Sequence, residues 1–146
     1  VVTETVWKQF YFDPKFKPAL SQKRLVEAGF LGRKTNRGFY NYSEDTIKPE
    51  VKEDVVLGKK IFLRIISMLI NEAADALYLN IASKDDIDLA MMKGVNYPKG
   101  LLKWADEIGI GNVVNELNSL REFYEEDRYR ISPALKHFSL QGKTFY

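Results

Sequence analysis

The stretch Lys59-Lys60-Ile61-Phe62-Leu63-Arg64-Ile65-Ile66-Ser67-Met68-Leu69-Ile70-Asn71-Glu72-Ala73-Ala74-Asp75-Ala76-Leu77-Tyr78-Leu79-Asn80-Ile81 holds neither proline nor glycine and is dominated by apolar side chains. It is long enough to span a bilayer. Arg64, Asn71, Glu72 and Asp75 lie inside it, however, and would be costly in lipid, so the stretch predicts a core helix from about Lys59 to Ile81. Arg64, Ser67, Asn71 and Asp75 recur three or four positions apart and form one narrow polar stripe. The wide remaining apolar face predicts burial on several sides.

Helical signals continue outward in both directions. Ser83 with Asp86 makes a capping box for a helix that Gly94 would end. Pro98 and Gly100 introduce a short helix through Leu101, Leu102, Trp104 and Ile108, closed by Gly109. Val113, Val114, Leu117, Leu120 and Tyr124 mark one side of a further helix, and Ser132-Pro133 supplies an N-cap and first position for the last. Upstream, Val2, Val6, Trp7, Phe10 and Tyr11 recur at helical spacing before Pro14, and Pro18 opens a segment that Gly29 would close. No stretch alternates with a two-residue period between turn signals, so the fold class is all-α.

A chain of 146 residues can bury roughly 70% of the surface its unfolded form exposes. Hydrophobic residues at 45%, charged at 29% and aromatic at 13% are ordinary values for a globular protein. The absence of cysteine removes disulfides, thiolate metal sites and thiol nucleophiles, and reads as cytoplasmic. A single histidine, His137, excludes metal sites with two imidazoles. The net charge of +2 gives the whole molecule no strong field toward nucleic acid or membrane. Residues 1–42 hold eight basic and three acidic side chains, against fourteen and seventeen in the remainder. The change falls near Ser43 to Asp54, a polar stretch carrying Pro49 without apolar periodicity, which reads as a linker. Val1-Val2-Thr3 offers no initiator methionine and no basic n-region, so the opening reads as an excision.

An internal echo is the most informative pattern. Phe10-Tyr11-Phe12-Asp13-Pro14-Lys15-Phe16-Lys17-Pro18-Ala19-Leu20 and Phe123-Tyr124-Glu125-Glu126-Asp127-Arg128-Tyr129-Arg130-Ile131-Ser132-Pro133-Ala134-Leu135 share an order. Both read Phe-Tyr, then basic-aromatic-basic, then Pro-Ala-Leu, and Phe39-Tyr40 and Phe145-Tyr146 follow the two copies. Equivalence of the two would make 58–146 one complete unit, 43–57 a linker and 1–42 the tail of an earlier unit whose long helix lies upstream.

Other motifs are better explained structurally. Gly109-Ile110-Gly111-Asn112-Val113-Val114 begins like a dinucleotide loop but lacks the third glycine and follows a helix, which favours a helix-helix turn. Gly29-Phe30-Leu31-Gly32-Arg33-Lys34-Thr35 has the wrong spacing for a phosphate loop. Arg37-Gly38-Phe39 starts like an RNA-recognition motif, but Tyr40 breaks it and no sheet is available. Asp85, Asp86 and Asp88 follow Ser83 as carboxylates favoured at a helix start rather than as a metal site. His137 has no carboxylate patterned to orient it, and Glu72 in its apolar helix is read as structural.

Two stretches carry a family resemblance. Gly32-Arg33-Lys34-Thr35-Asn36-Arg37-Gly38-Phe39-Tyr40-Asn41-Tyr42 resembles the end of the C-terminal domain of 3-hydroxyacyl-CoA dehydrogenases, with Asn36 where that family usually has glycine. Asn71-Glu72-Ala73, Ile87-Asp88, Ala90-Met91, Gly94, Tyr97-Pro98-Lys99-Gly100, Trp104-Ala105-Asp106 and Ile108-Gly109 are similar, in order and spacing, to the helical part of the same domain.

The resemblance implies a helical bundle of that C-terminal type, similar to the C-terminal domain of 6-phosphogluconate dehydrogenase. It further implies an enzyme that oxidises (S)-3-hydroxyacyl-CoA to 3-ketoacyl-CoA, with NAD held by an N-terminal Rossmann domain of the same polypeptide and absent from this sequence. His137 does not match the family's catalytic histidine. The family's asparagine precedes an arginine on the first long helix; here that arginine is Arg64 and the preceding residue is Leu63, so no catalytic residue is assigned. Larger family members carry tandem C-terminal domains with a degenerate second copy, which implies that 58–146 is the second copy and supplies a pseudo-dimer interface and part of the acyl-CoA cleft. Arg33, Lys34 and Arg37 are the candidates for contact with a CoA phosphate. The expected partners are the Rossmann domain and acyl-CoA, with a homo-oligomer left open and neither nucleic acid nor membrane expected. The alternative is a non-catalytic all-helical interaction module, with single-stranded RNA binding ranked third.

Overall fold

A computed structural model describes residues 2–47 and 50–146, so Val1 and the linker residues Lys48 and Pro49 lie outside the described residues. The chain divides into two compact units, 1–53 and 54–146. No strand occurs among the described residues; isolated bridges join Gly32 to Arg37 and Arg37 to Asn41.

The first unit comprises α1 (Val2–Gln9), a 3₁₀ turn at Pro14–Phe16, α2 (Leu20–Glu27) and a 3₁₀ turn at Arg33–Thr35. It builds no apolar core of its own: Lys15 is its one buried residue among those described. The second comprises α3 (Val55–Tyr78), α4 (Lys84–Gly94), α5 (Leu101–Ile108), α6 (Ile110–Tyr124), a 3₁₀ turn at Asp127–Tyr129 and α7 (Pro133–Gln141). The long helix starts four residues earlier than its apolar pattern suggests, because the Asp54 carboxylate accepts the Leu57 amide at 2.8 Å and caps it.

α3 packs against α5, α6 and α7. Ile66, Ile70, Ala73 and Ala74 meet Leu102, Ala105, Val113, Leu117 and Leu135 in a single cluster. The polar stripe lies on this same buried side: Ser67 and Asn71 are 0% and 1% exposed, while Ile61, Phe62 and Ile65 are exposed. At Asn71 the stripe is buried because the chain entering α7 offers backbone groups there that only a polar side chain satisfies. Asn71 Nδ2 donates to Arg130 O at 2.9 Å and its Oδ1 accepts the Ser132 amide at 2.7 Å. Ser132 stands at the N-cap of α7 as its Ser-Pro pattern predicts, but its hydroxyl makes no cap bond.

Asp88 also works between elements. It is buried and accepts the amides of Leu102 and Lys103 at 2.8 and 3.0 Å, so it caps the start of α5 rather than its own helix. A Cβ on Gly100 would lie 2.0 Å from the Asp88 carboxyl carbon, which requires glycine. Ser83 caps α4 as its spacing predicts, its Oγ accepting the Asp86 amide at 3.2 Å, but the Asp86 carboxylate returns to the Ser83 hydroxyl, at 2.7 Å, rather than to its backbone N–H. The last residues are fixed by Asp106, which accepts the amides of Phe145 and Tyr146 at 2.9 Å each. Burial, and then the charge of Asp88 beside it, push the Tyr146 hydroxyl above the usual phenol range.

The two Phe-Tyr stretches share a backbone pattern without gaps. Phe12 (φ 62°) matches Glu125 (φ 52°), and the 3₁₀ turn at Pro14–Phe16 matches that at Asp127–Tyr129. Lys17 (φ −60°, ψ 126°) matches Arg130 (φ −56°, ψ 122°), and the N-cap Ala19 (φ −66°, ψ 137°) matches Ser132 (φ −54°, ψ 134°). Gly29 (φ 74°) matches Gly142 (φ 62°), closing both helices alike. In this register Pro18-Ala19-Leu20 coincides with Ile131-Ser132-Pro133, so the Pro-Ala-Leu letters are two residues out of step. The proline sits before the N-cap in one helix and at the first position in the other, and its fixed φ suits both. Phe39 also falls outside the register, being 70% exposed where Phe145 is 5%.

Candidate functional site

Arg33, Lys34 and Arg37 come together in the loop that follows α2. Gly32 and Arg37 exchange backbone bonds, Gly32 N to Arg37 O at 2.8 Å and Arg37 N to Gly32 O at 3.1 Å. Thr35 Oγ1 accepts the Leu31 amide at 2.9 Å and lies 3.0 Å from Arg37 O, tying both flanks of the loop. Asn36 takes φ 53°, a left-handed conformation that asparagine tolerates better than most residues, which explains how it stands where glycine is expected. Gly38 has no such latitude, since a Cβ there would lie 2.8 Å from the Gly32 backbone.

All three cations are exposed, and among the described residues none pairs with a carboxylate. Acidic neighbours therefore do not anchor this tail. The Arg33 guanidinium lies 5.4 Å from the Tyr42 ring centre and that of Arg37 lies 4.3 Å from Phe30, so both planes rest on aromatic faces with N–H groups left for a ligand. Phe30 and Tyr42, on which the two arginines rest, also line an open, mostly apolar cavity of about 260 Å³ with Leu25, Val26, Leu31 and Phe39. Chemically, this is an apolar recess beside a cluster of positive charge, suited to an amphiphilic anion.

In the second unit, Leu63 is half-buried and packs against the core. Its neighbour Arg64 is committed elsewhere. Arg64 Nη1 donates to Tyr124 Oη at 3.1 Å, Nη2 donates to Tyr129 Oη, and the guanidinium lies 4.7 Å from the Tyr124 ring centre. Burial works against its charge, but the Tyr124 hydrogen bond and the attraction of Tyr129 outweigh it and raise the pKa further. Arg64 thereby fixes α3 to the end of α6. The sequence points to Glu72 as the carboxylate needing partners; it is half-buried and partnered, while the more demanding group is its neighbour Asn71. The spacing places Asn71 on the stripe with Arg64 and Ser67, but carries no signal that Asn71 faces backbone rather than solvent.

His137 is exposed on α7, edge-on to Phe138 at 6.3 Å. Gly109 and Gly111 join α5 to α6, and Asn112 Nδ2 donates to Ile108 O at 2.7 Å across the turn. That is a helix-helix corner, and its residues do not fit a dinucleotide. No described helix is long and apolar enough to cross a membrane.

Known proteins match this chain over most of its length. The family model described as 3-hydroxyacyl-CoA dehydrogenase, C-terminal domain, matches residues 1–42 and 61–144. The 3-hydroxyadipyl-CoA dehydrogenase of Escherichia coli (strain K12) is 44% identical over 77 residues, covering 53% of this chain and 16% of the relative. The fatty acid oxidation complex subunit alpha of Shewanella sp. (strain MR-4) is 28% identical over 151 residues, covering 90% of this chain and 21% of the relative. The crystal structure of 3-hydroxybutyryl-CoA dehydrogenase from Escherichia coli K12 substr. MG1655 aligns with a TM-score of 0.75 at 25% identity, covering 96% of this chain and 48% of that one. The chain thus spans less than a third of these curated relatives and about half of the solved chain. With nearly all of its helices inside the matched residues, the chain belongs to the 3-hydroxyacyl-CoA dehydrogenase family by its C-terminal domain.

Proposed function

We propose that this chain is the helical C-terminal part of an enzyme that oxidises (S)-3-hydroxyacyl-CoA to 3-ketoacyl-CoA with NAD. The observation that carries this reading is the match of both stretches, 1–42 and 61–144, to one C-terminal domain model. The second unit, with the end of the linker, is then a complete domain, and residues 1–42 are the tail of another. In this reading NAD is held by an N-terminal domain of the same polypeptide outside residues 1–146. When bound, it supplies the hydride acceptor.

This chain's own contribution is binding and shape. Leu63 offers no polar group to the reaction, and Arg64 is occupied by two tyrosines. The exposed apolar residues at the start of α3, Val55, Val56, Ile61, Phe62 and Ile65, form the surface offered to the rest of the enzyme. Arg33, Lys34 and Arg37 offer a CoA phosphate their charge, and the recess beside them offers apolar contact.

The test is turnover. The complete polypeptide that carries this sequence should form NADH from (S)-3-hydroxybutyryl-CoA, and residues 1–146 alone should form none. Turnover by the isolated chain refutes the assignment of chemistry elsewhere, and inactivity of the folded complete polypeptide on every 3-hydroxyacyl-CoA offered refutes the enzyme reading. In the active enzyme, replacing Arg33, Lys34 and Arg37 together by alanine should raise the acyl-CoA KM about tenfold or more with kcat little changed. An unaltered KM removes the three residues from the substrate site.

A further inference from the structure

The loop that joins α2 to Phe39-Tyr40 has no counterpart in the second unit. There Gly142 leads to Phe145-Tyr146 through Lys143 and Thr144 alone, and Phe145 still reaches the core. Closing the last helix and arriving at the aromatic pair therefore requires neither residues 30–38 nor their three cations. What the loop adds is a frame tied to itself. The amides of Gly32, Thr35, Asn36, Arg37 and Gly38 donate to Arg37 O, Gly32 O, Arg33 O, Gly32 O and Tyr40 O, and the Thr35 hydroxyl is held between the Leu31 amide and Arg37 O. A backbone cradle of the kind that wraps a pyrophosphate needs free N–H groups. With these five amides spent, an anion at this loop is met by side chains.

Those side chains suit one kind of phosphate. Phe30 and Tyr42 line one recess, so the guanidiniums of Arg37 and Arg33 that rest on them stand at its rim, with Lys34 on the same loop. A guanidinium bedded on its face offers its edge, and each edge takes a pair of oxygens. A phosphate monoester presents three unesterified oxygens and about −1.5 to −2 charges at neutral pH. Each phosphate of a pyrophosphate bridge has two unesterified oxygens and a single charge. Two forks and an ammonium, unpaired with any carboxylate among the described residues, match the monoester. We propose that Arg33, Lys34 and Arg37 read the 3′-phosphate of CoA, so that the loop selects CoA thioesters over the same acyl groups carried on dephospho-CoA or on a phosphopantetheine diester. The proposal rests on the reading of this chain as part of an acyl-CoA enzyme and narrows it from any CoA phosphate to the one terminal monoester. That phosphate lies at the opposite end of CoA from the thioester, so the three residues set specificity and touch no reacting atom.

CoA and dephospho-CoA differ by this phosphate alone, and calorimetric titration of the full chain with each tests the assignment. CoA should bind about tenfold or more tightly than dephospho-CoA, as expected for the loss of charge-assisted hydrogen bonds. Replacing Arg33, Lys34 and Arg37 together by glutamine should bring the two affinities level, by weakening CoA and leaving dephospho-CoA unchanged. Should circular dichroism show that this variant does not fold, Arg37→Gln alone should narrow the preference about threefold or more. Equal affinity of the unaltered chain for the two compounds, no CoA binding at millimolar concentration, or a preference that survives the substitutions overturns the proposal. Binding is read here without NAD or turnover, so NADH formation by the complete polypeptide would leave the dehydrogenase reading standing in that event.

Discussion

Asn71 holds the entry to α7 with one side chain, donating to Arg130 O and accepting from the Ser132 amide. Leaving those two backbone groups without it exposes the cost of unsatisfied burial, about 1–3 kcal/mol each before compensation by water. Asn71→Ala should therefore lower unfolding stability by about 2–4 kcal/mol, measured as a shift in the urea midpoint with unchanged m. Asn71→Leu should do no better despite restoring volume, because what is lost is polar. Part of this was legible beforehand: the spacing of Arg64, Ser67 and Asn71 shows that they share a stripe. Which way the stripe faces was not, since that depends on Arg130 and Ser132, some sixty positions away, presenting unpaired backbone to it.

Elements are joined here by capping across helices. Asp88 lies on α4 but caps the start of α5, and Gly100 leaves it room to do so. Gly100→Ala must push the Asp88 carboxylate away from the Leu102 and Lys103 amides, and should cost about 2–4 kcal/mol through a lost buried cap and local overpacking. Thermal unfolding checks this, and Ala at Gly94, where a Cβ meets nothing within 4 Å, should be close to neutral by comparison. Helix positions were readable from Ser83, Gly94, Gly109 and Pro133, because these residues act locally. Partnerships between helices were less so: the letters of Asp85, Asp86 and Asp88 look alike, yet Asp86 faces Ser83 and Asp88 faces the next helix. The Pro-Ala-Leu echo misled by two residues for a related reason, that proline fits either side of a helix start and so marks a beginning without fixing its register.

On the scale of the molecule, the two units differ in what holds them. The second has a continuous apolar core around Ile70, Leu102 and Leu117, while the first buries no apolar residue among those described. Amides of α1 and α2 should exchange about a hundredfold faster than those at the centre of α3, and limited trypsin treatment should cut near Lys52 and leave a resistant product covering α3 to α7. Equal protection in α2 and α3 would show that the first unit is stabilised by something other than its own contacts. The all-α class was plain from periodicity. The loop of Arg33, Lys34 and Arg37 was recognisable by its letters alone, but not the aromatic beds under its two arginines, which arise only when Phe30 and Tyr42 fold back on it.

The stitching of Phe145 and Tyr146 to Asp106 fixes where anything attached at position 146 departs. A fluorophore coupled there would inherit the slow tumbling of α5 instead of wagging on a loose thread, and its anisotropy would serve as a gauge of the molecular volume of whatever assembly takes the chain up.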